Sequence, residues 1–290
     1  MRALHLVDVF ATERYAGNQL AVVESDGSLA DAEMQAIAAE MGFSETTFVE
    51  SADPDGARVR IFTPEAEIPF AGHPTLGTAH VIRERLVEGR PDRVVLDLDV
   101  GAVPVDVRRT DGAETLWMTQ RPPTFGERLD HAALGDVLSL DNAALDRDWP
   151  VQVVSTGLPT IVVPLADRAA LEGIDVDRAA YDRVTGDREA KNVLAFCPDP
   201  RHDANDLAVR VFAPALGVPE DPATGSSNGC LAAYLARHAV LGSGHVAARV
   251  EQGYELGRPS LVHLEAVDRG QTVDVEVGGR VIDVARGELL

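Results

Sequence analysis

Apolar residues in this chain come mostly in short runs bounded by Gly, Pro or acidic residues, which predicts strands rather than helices. "GNQLAVV" (17–23), "ETTFVE" (45–50) and "NVLAFC" (192–197) read as short buried strands. "VVLDLDVGAVPVDVRR" (94–109) and "ARVEQGYELGRPSLVHLEA" (248–266) each read as strand, Gly-containing turn, strand. Helical stretches are predicted at 31–41, at 176–190, and in "PTLGTAHVIRERLVE" and "GSSNGCLAAYLARHAVL". In the last of these, Cys230, Leu231, Tyr234, Leu235 and His238 form a helical stripe, and the segment is apolar over much of its circumference. Such a helix must be deeply buried, so many strands around it predict a sheet wrapped on a central helix.

The pattern occurs twice. Arg60-Ile61-Phe62-Thr63-Pro64 matches Arg210-Val211-Phe212-Ala213-Pro214, and Pro74-Thr75-Leu76-Gly77-Thr78 matches Pro222-Ala223-Thr224-Gly225-Ser226. Upstream, Gly17 to Val23 answers Gly157 to Val163, and the helix, strand and meander segments follow in the same order. Ordered matches of this kind indicate duplication of a whole domain. The expected division is residues 1–120 and 121–290, linked within "TQRPPTFGERLD" (119–130), with the last strand able to pack back onto the N-terminal repeat.

Composition narrows the function classes. A net charge of −21 over 290 residues opposes binding to nucleic acid or anionic membranes. Lys191 is the sole lysine among the basic residues, a bias that speaks to genome or salt adaptation rather than activity. Two cysteines, Cys197 and Cys230, argue against a disulfide framework, and no apolar run approaches a membrane span. The N-terminus lacks an apolar signal core, so a cytoplasmic location is expected.

Candidate chemistry lies where the two copies diverge. Each Gly-Pro loop opens a helix, where backbone N–H groups lack intrahelical partners and the dipole is positive. Gly72, Gly77 and Gly225 permit close backbone approach, and Thr75, Thr78, Ser226 and Ser227 add hydroxyls, giving two cradles suited to a carboxylate or phosphate. Each carries a different ionisable group, His73 in one and Asp221 in the other. Such residues are also ordinary cap and turn formers. It is the matched pair that points to a site.

The motifs "VDVF", "GNQLAVV", "SETTFV", "RIFTPEAEIPFAGHPTLG", "EDPATGSS" and "EQGYELGRPS" together resemble the phenazine-biosynthesis PhzF-like isomerases, relatives of diaminopimelate epimerase, over nearly the whole chain. Gln19 departs from the family's usual proline after Gly-Asn. The resemblance implies an α+β fold of two pseudo-twofold-related domains, each a β-barrel-like sheet around a central helix, with a site between them. It implies that Glu45, His73 and Asp221 are catalytic, and that Asn18, Gly72, Gly225 and Ser226 line the substrate site. No cofactor and no metal are implied, the partner is a small carboxylic acid, and a homodimer is possible. A single carboxyl, Glu45, would take a proton from one carbon and return it to another. Desolvation in a cleft favours its neutral form.

Rival readings are weaker. "GSSNG" (225–229) satisfies the nucleophile-elbow pattern with Ser227, but a Pro-rich loop separates it from the preceding strand. A cysteine-pair racemase needs one thiol from each half, and the N-terminal half has none. His73 and His80 share a helix face without a third metal ligand nearby. A non-enzymatic small-acid-binding protein is the alternative, although such a protein needs no acid/base group.

Overall fold

The computed structural model describes residues 1–110 and 112–290. It divides into two compact units, Met1–Thr119 with Gly278–Leu290, and Gln120–Val277. The first carries β1 (Arg2–Val9), β2 (Asn18–Glu24), α1 (Asp31–Met41), β3 (Thr46–Asp53), β4 (Gly56–Phe62), β5 (Glu67–Ile68), α2 (Gly72–Val81), β6 (Arg93–Leu98), β7 (Gly101–Thr110) and β8 (Ala113–Thr119). The second carries β9 (Thr124–Arg128), α3 (His131–Leu138), β10 (Gln152–Ser155), β11 (Pro159–Pro164), α4 (Arg168–Glu172), α5 (Arg178–Thr185), β12 (Asn192–Cys197), β13 (Leu207–Ala213), β14 (Val218–Asp221), α6 (Gly225–His238), β15 (His245–Gln252), β16 (Ser260–Asp268) and β17 (Val273–Gly279). The final strand, β18 (Val281–Leu289), returns to the first unit and pairs antiparallel with β1.

The pairing schemes are the same. In the first unit the neighbours run β18, β1, β2, β3, β4, β6, β7, with β2–β3 and β4–β6 parallel and the rest antiparallel. In the second they run β9, β10, β11, β12, β13, β15, β16, with β11–β12 and β13–β15 parallel. Parallel neighbours need a long crossover. Each such crossover contains helix: α1 or α2 in the first unit, α4 with α5 or α6 in the second. The strand flanking β1 is supplied by the chain's end, whereas its counterpart β9 precedes its own repeat.

Burial explains the sequence pattern. All residues of β12 and β13 are buried because both faces of these strands are covered. On one face Ile161, Val163, Val193, Ala195 and Cys197 join an outer core with α3 and α5, where Tyr181 is fully buried. The opposite face meets α6: Thr160 and Asn192 both reach Ser227 on that helix, and Phe196 packs edge-on to Tyr234. In the first unit Met34 and Ala38 of α1 cover Val23, Phe48 and Phe62, while α2 lies against β1, β2 and β3. Nine of the ten α2 residues are buried, all but His80, as are the first twelve of α6. These are the central helices the apolar pattern predicts.

Three expectations need correction. The helix expected at 176–190 is shorter, α5 alone, and a separate helix outside that stretch, α4, precedes it; each is started by an aspartate cap: Asp167 accepts from Ala170 N and Asp177 from Ala180 N. Part of the stretch expected to be linker, residues 124–128, is strand β9. The match of Pro74 to Pro222 is out of phase, because α2 begins at Gly72 and α6 at Gly225. Pro74 therefore sits inside the first turn, where its missing N–H costs nothing, whereas Pro222 precedes the cap residue Thr224. In helix position the equivalents are Gly72 with Gly225 and His73 with Ser226.

Candidate active site

In the first unit the site begins with a turn that only unusual backbone can make. Phe10 (φ 60°), Tyr15 (φ 70°) and Gly17 (φ 68°) all adopt left-handed conformations. A Cβ at Gly17 would stand 2.3 Å from the Val9 carbonyl oxygen, so no other residue fits there. The buried Asp8 carboxylate accepts from Tyr15 N at 2.7 Å and holds the turn. The chain then enters β2 with Asn18 buried, and Asn18 Nδ2 lies 3.2 Å from His73 Nδ1.

His73 is the second residue of α2. Glu45 is the residue immediately before β3, and its Oε2 lies 3.4 Å from His73 Nε2. The helix, the β1–β2 turn and the α1–β3 loop thus meet in an Asn18–His73–Glu45 row. Burial pushes the His73 imidazole from its ordinary 6.5 down to about 3, with a backbone hydrogen bond at Gln19 opposing the shift. The ring is neutral at physiological pH. One of its nitrogens then donates and the other accepts, so it can hold the Asn18 amide at one edge and face Glu45 with the other. A 3.4 Å separation is long for a formed bond; catalytic contacts commonly tighten when the reacting atoms arrive.

No side chain caps α2 at Ala71, and no acidic residue stands in its first turn. The N–H groups at Gly72 and His73 therefore belong to an uncapped positive helix end suited to a carboxylate.

The second unit repeats this with different chemistry. Asp221 ends β14, Thr224 is the N-cap residue of α6 without capping by its side chain, and Gly225 and Ser226 open the helix. Thr224 turns its hydroxyl the other way, donating to Asp221 Oδ2. Register shows how the site diverged: Val211 pairs with Asp221 where, in the first unit, Ile61 pairs with Ile68. The duplicate of the candidate acid is an isoleucine.

Both loops are anchored by the same ion pair. Arg60 grips Glu67 with two bonds of 2.7 Å and reaches Asp31; Arg210 grips Glu220 with two bonds of 2.8 Å and reaches the carbonyls of Leu171 and Ile174. These forks tie β5 to β4 and β14 to β13 ahead of each helix. Glu67, an acid in the "RIFTPEAEIPFAGHPTLG" motif, is thereby accounted for as an anchor.

The structure thus gathers Glu45, His73, Asn18 and Gly72 in one unit, and Asp221, Gly225 and Ser226 in the other. The sequence decoys fall elsewhere. Ser227 is fully buried, with its hydroxyl 3.0 Å from that of Thr160, so it is not an exposed nucleophile. Cys197 and Cys230 are buried, and burial pushes both thiols up, Cys197 to about 11. His80 pairs with Asp283, which Arg85 also holds. Among the described residues no group of three or more His, Cys, Asp or Glu could hold a metal ion, and no helix is long and apolar enough to cross a membrane. Gln252 was missed in the sequence; it is buried against the Asp221 loop.

Comparison with known proteins agrees with this architecture. A trans-2,3-dihydro-3-hydroxyanthranilate isomerase of Pseudomonas aeruginosa is 38% identical over 97% of both chains. An uncharacterized isomerase of Mesorhizobium japonicum is 35% identical over 98% of this chain and 97% of its own. The crystal structure of a PhzF-family phenazine biosynthesis protein from Bacillus anthracis superposes with a TM-score of 0.92 at 26% identity, covering 100% of this chain and 99% of the other. A probable proline racemase of Agrobacterium radiobacter shares the fold, with a TM-score of 0.61 at 14% identity over 100% of this chain and 93% of the other. The PhzC-PhzF family, described as phenazine biosynthesis-like protein, matches residues 7–287. The chain belongs to this family and is an isomerase of the PhzF type.

Proposed function

We propose that the protein moves a proton between carbons of a small carboxylic acid by general acid/base catalysis without a cofactor. In this reading Glu45 is the proton carrier, and its contact with the buried, neutral His73 is the observation that carries the proposal. A neutral imidazole beside the carboxyl adds no positive charge to lock it in the ionised form, so Glu45 can alternate between base and acid. His73, fixed by Asn18, sets the orientation of the carboxyl. Removing a proton beside a carboxylate builds negative charge on the substrate. The uncapped first turns of α2 and α6, at Gly72–His73 and Gly225–Ser226, offer N–H donors to the substrate carboxylate and to that charge.

Asp221 supplies the second charged group and fixes the substrate's polar edge from the other repeat. The reading joins the two half-sites across one interdomain cleft, as the family resemblance implies. The activity in the name of the Pseudomonas aeruginosa relative makes a cyclic, amino- and hydroxyl-bearing carboxylic acid the first candidate substrate.

The test is turnover in deuterium oxide with trans-2,3-dihydro-3-hydroxyanthranilate and a panel of small carboxylic acids, comparing wild type with Glu45→Gln. The proposal expects carbon-bound deuterium or product from wild type, and loss of both in the variant with binding retained. Binding that is equal in both proteins, with no turnover in either, would favour a small-acid-binding protein.

A further inference from the structure

We infer that Gln252 is a positioning residue that, acting through Thr224, fixes the Asp221 carboxylate and the opening of α6. The inference rests on the reading of Asp221 as an active-site group. Gln252 is the last residue of β15 and is 1% exposed. Its Nε2 donates to the Asp221 carbonyl at 2.8 Å and to Thr224 Oγ1 at 3.2 Å. Its Oε1 accepts from Thr224 N at 3.2 Å and from Asn228 Nδ2 at 2.8 Å. One side chain thus holds the end of β14, the cap residue of α6 and the first turn of that helix.

The hydroxyl of Thr224 has a single proton. Gln252 donates to that oxygen, so the proton is directed elsewhere, and Asp221 Oδ2 receives it. The carboxylate orientation is therefore decided by an amide two bonds away. A serine or threonine at an N-cap ordinarily bonds its own helix; here that use is given up.

The surrounding turn protects the arrangement. Gly253 has φ 78°, and a Cβ there would lie 2.5 Å from the Pro222 carbonyl oxygen and 2.4 Å from that of Arg258. Ser260 Oγ donates to the same Pro222 carbonyl at 3.0 Å. The preceding residue, Glu251, alternates to the other face of β15, where it accepts from Arg201 N, His202 N and Asn205 Nδ2. The "EQGYELGRPS" segment is thus a brace for the Asp221 loop, a role that the proton-transfer reading leaves unassigned.

The experiment uses the full chain in four forms beside wild type: Thr224→Val, Thr224→Ser, Gln252→Glu, and the double variant Thr224→Val with Gln252→Glu. Gln252→Glu keeps the shape and one acceptor oxygen but removes both donors. With trans-2,3-dihydro-3-hydroxyanthranilate as probe, Thr224→Val and Gln252→Glu should each lower kcat about 10–100-fold with KM changed far less. Thr224→Ser should recover most of kcat, and the double variant should be no worse than the poorer single one. In parallel, the side-chain amide signals of Gln252 in a 15N spectrum should show both protons protected from exchange in wild type and Thr224→Ser, and one of them exposed in Thr224→Val. Additive losses in the double variant, a Ser form as poor as the Val form, or amide protection unchanged by Thr224→Val would overturn the assignment. If wild type leaves the probe unchanged, the proton-transfer reading loses its first substrate, while the amide signals still decide the positioning of Thr224.

Discussion

His73 Nε2 stands 3.4 Å from Glu45 Oε2, and the ring that makes this contact is buried and neutral. A cationic histidine beside a glutamate would be a structural ion pair that keeps the carboxylate charged. A neutral one leaves the carboxyl free to give and take a proton. The burial that makes the ring neutral also carries a cost in acid.

The cost gives a signed prediction. The folded pKa of His73, about 3, lies below its unfolded value of 6.5, so between these values the unfolded chain binds more protons. Stability is full above about pH 6.5 and is lost as pH falls toward 3. Asp283, whose pKa hydrogen bonding to His80 draws down to about 2, adds a loss only below its unfolded value of 3.8. Urea unfolding from pH 7 to pH 4 should therefore show falling stability in wild type and a shallower fall in His73→Gln. Equal slopes would contradict the neutral buried ring.

The duplicated Arg–Glu anchors should differ in energy although their geometry matches. The side chains of Arg210 and Glu220 are 9% and 12% exposed, against 15% and 32% for Arg60 and Glu67. Removing one partner of a buried pair leaves an uncompensated charge, at about 3–5 kcal/mol. Arg210→Ala should fall in that range, and Arg60→Ala nearer 1 kcal/mol as a part-exposed pair. Denaturant midpoints with unchanged m-values would measure both, and a costlier Arg60→Ala would reverse the assignment.

Neither cysteine should take part in catalysis. A thiol reagent should leave Cys197 and Cys230 unmodified in the folded chain and label both after unfolding, because buried thiols are poorly ionised. A Cys197→Ala, Cys230→Ala chain that folds should keep its turnover. Loss of turnover with an intact fold would revive the thiol-based racemase reading.

How much of this the sequence disclosed depends on the range of each interaction. The β6–β7 and β15–β16 pairs and α1 stand out because alternation, a turn glycine and helical spacing are local signals. The start of α5 and the short α4 before it are equally local, since Asp177 and Asp167 are their cap residues, but the 5 residues of α4 are too few to show a helical period of their own. The phase error between Pro74 and Pro222 arose because proline suits both a first helical turn and the loop before a cap. Asn18 and His73 meet across 55 residues, and only the family resemblance named them together. Gln252 stands in the family motif "EQGYELGRPS", but its role had no local signal, since its bonds span 24 to 31 residues.

The most direct test of the account follows the proton itself. A substrate carrying deuterium at the carbon that loses its proton would be turned over in ordinary water, in wild type and in Glu45→Gln, with the product's labelled position read by NMR. One carboxyl serving both carbons predicts some deuterium at the new position in wild type, and neither transfer nor product in the variant. Product formed by Glu45→Gln at a rate near that of wild type would contradict the central claim that Glu45 carries the proton.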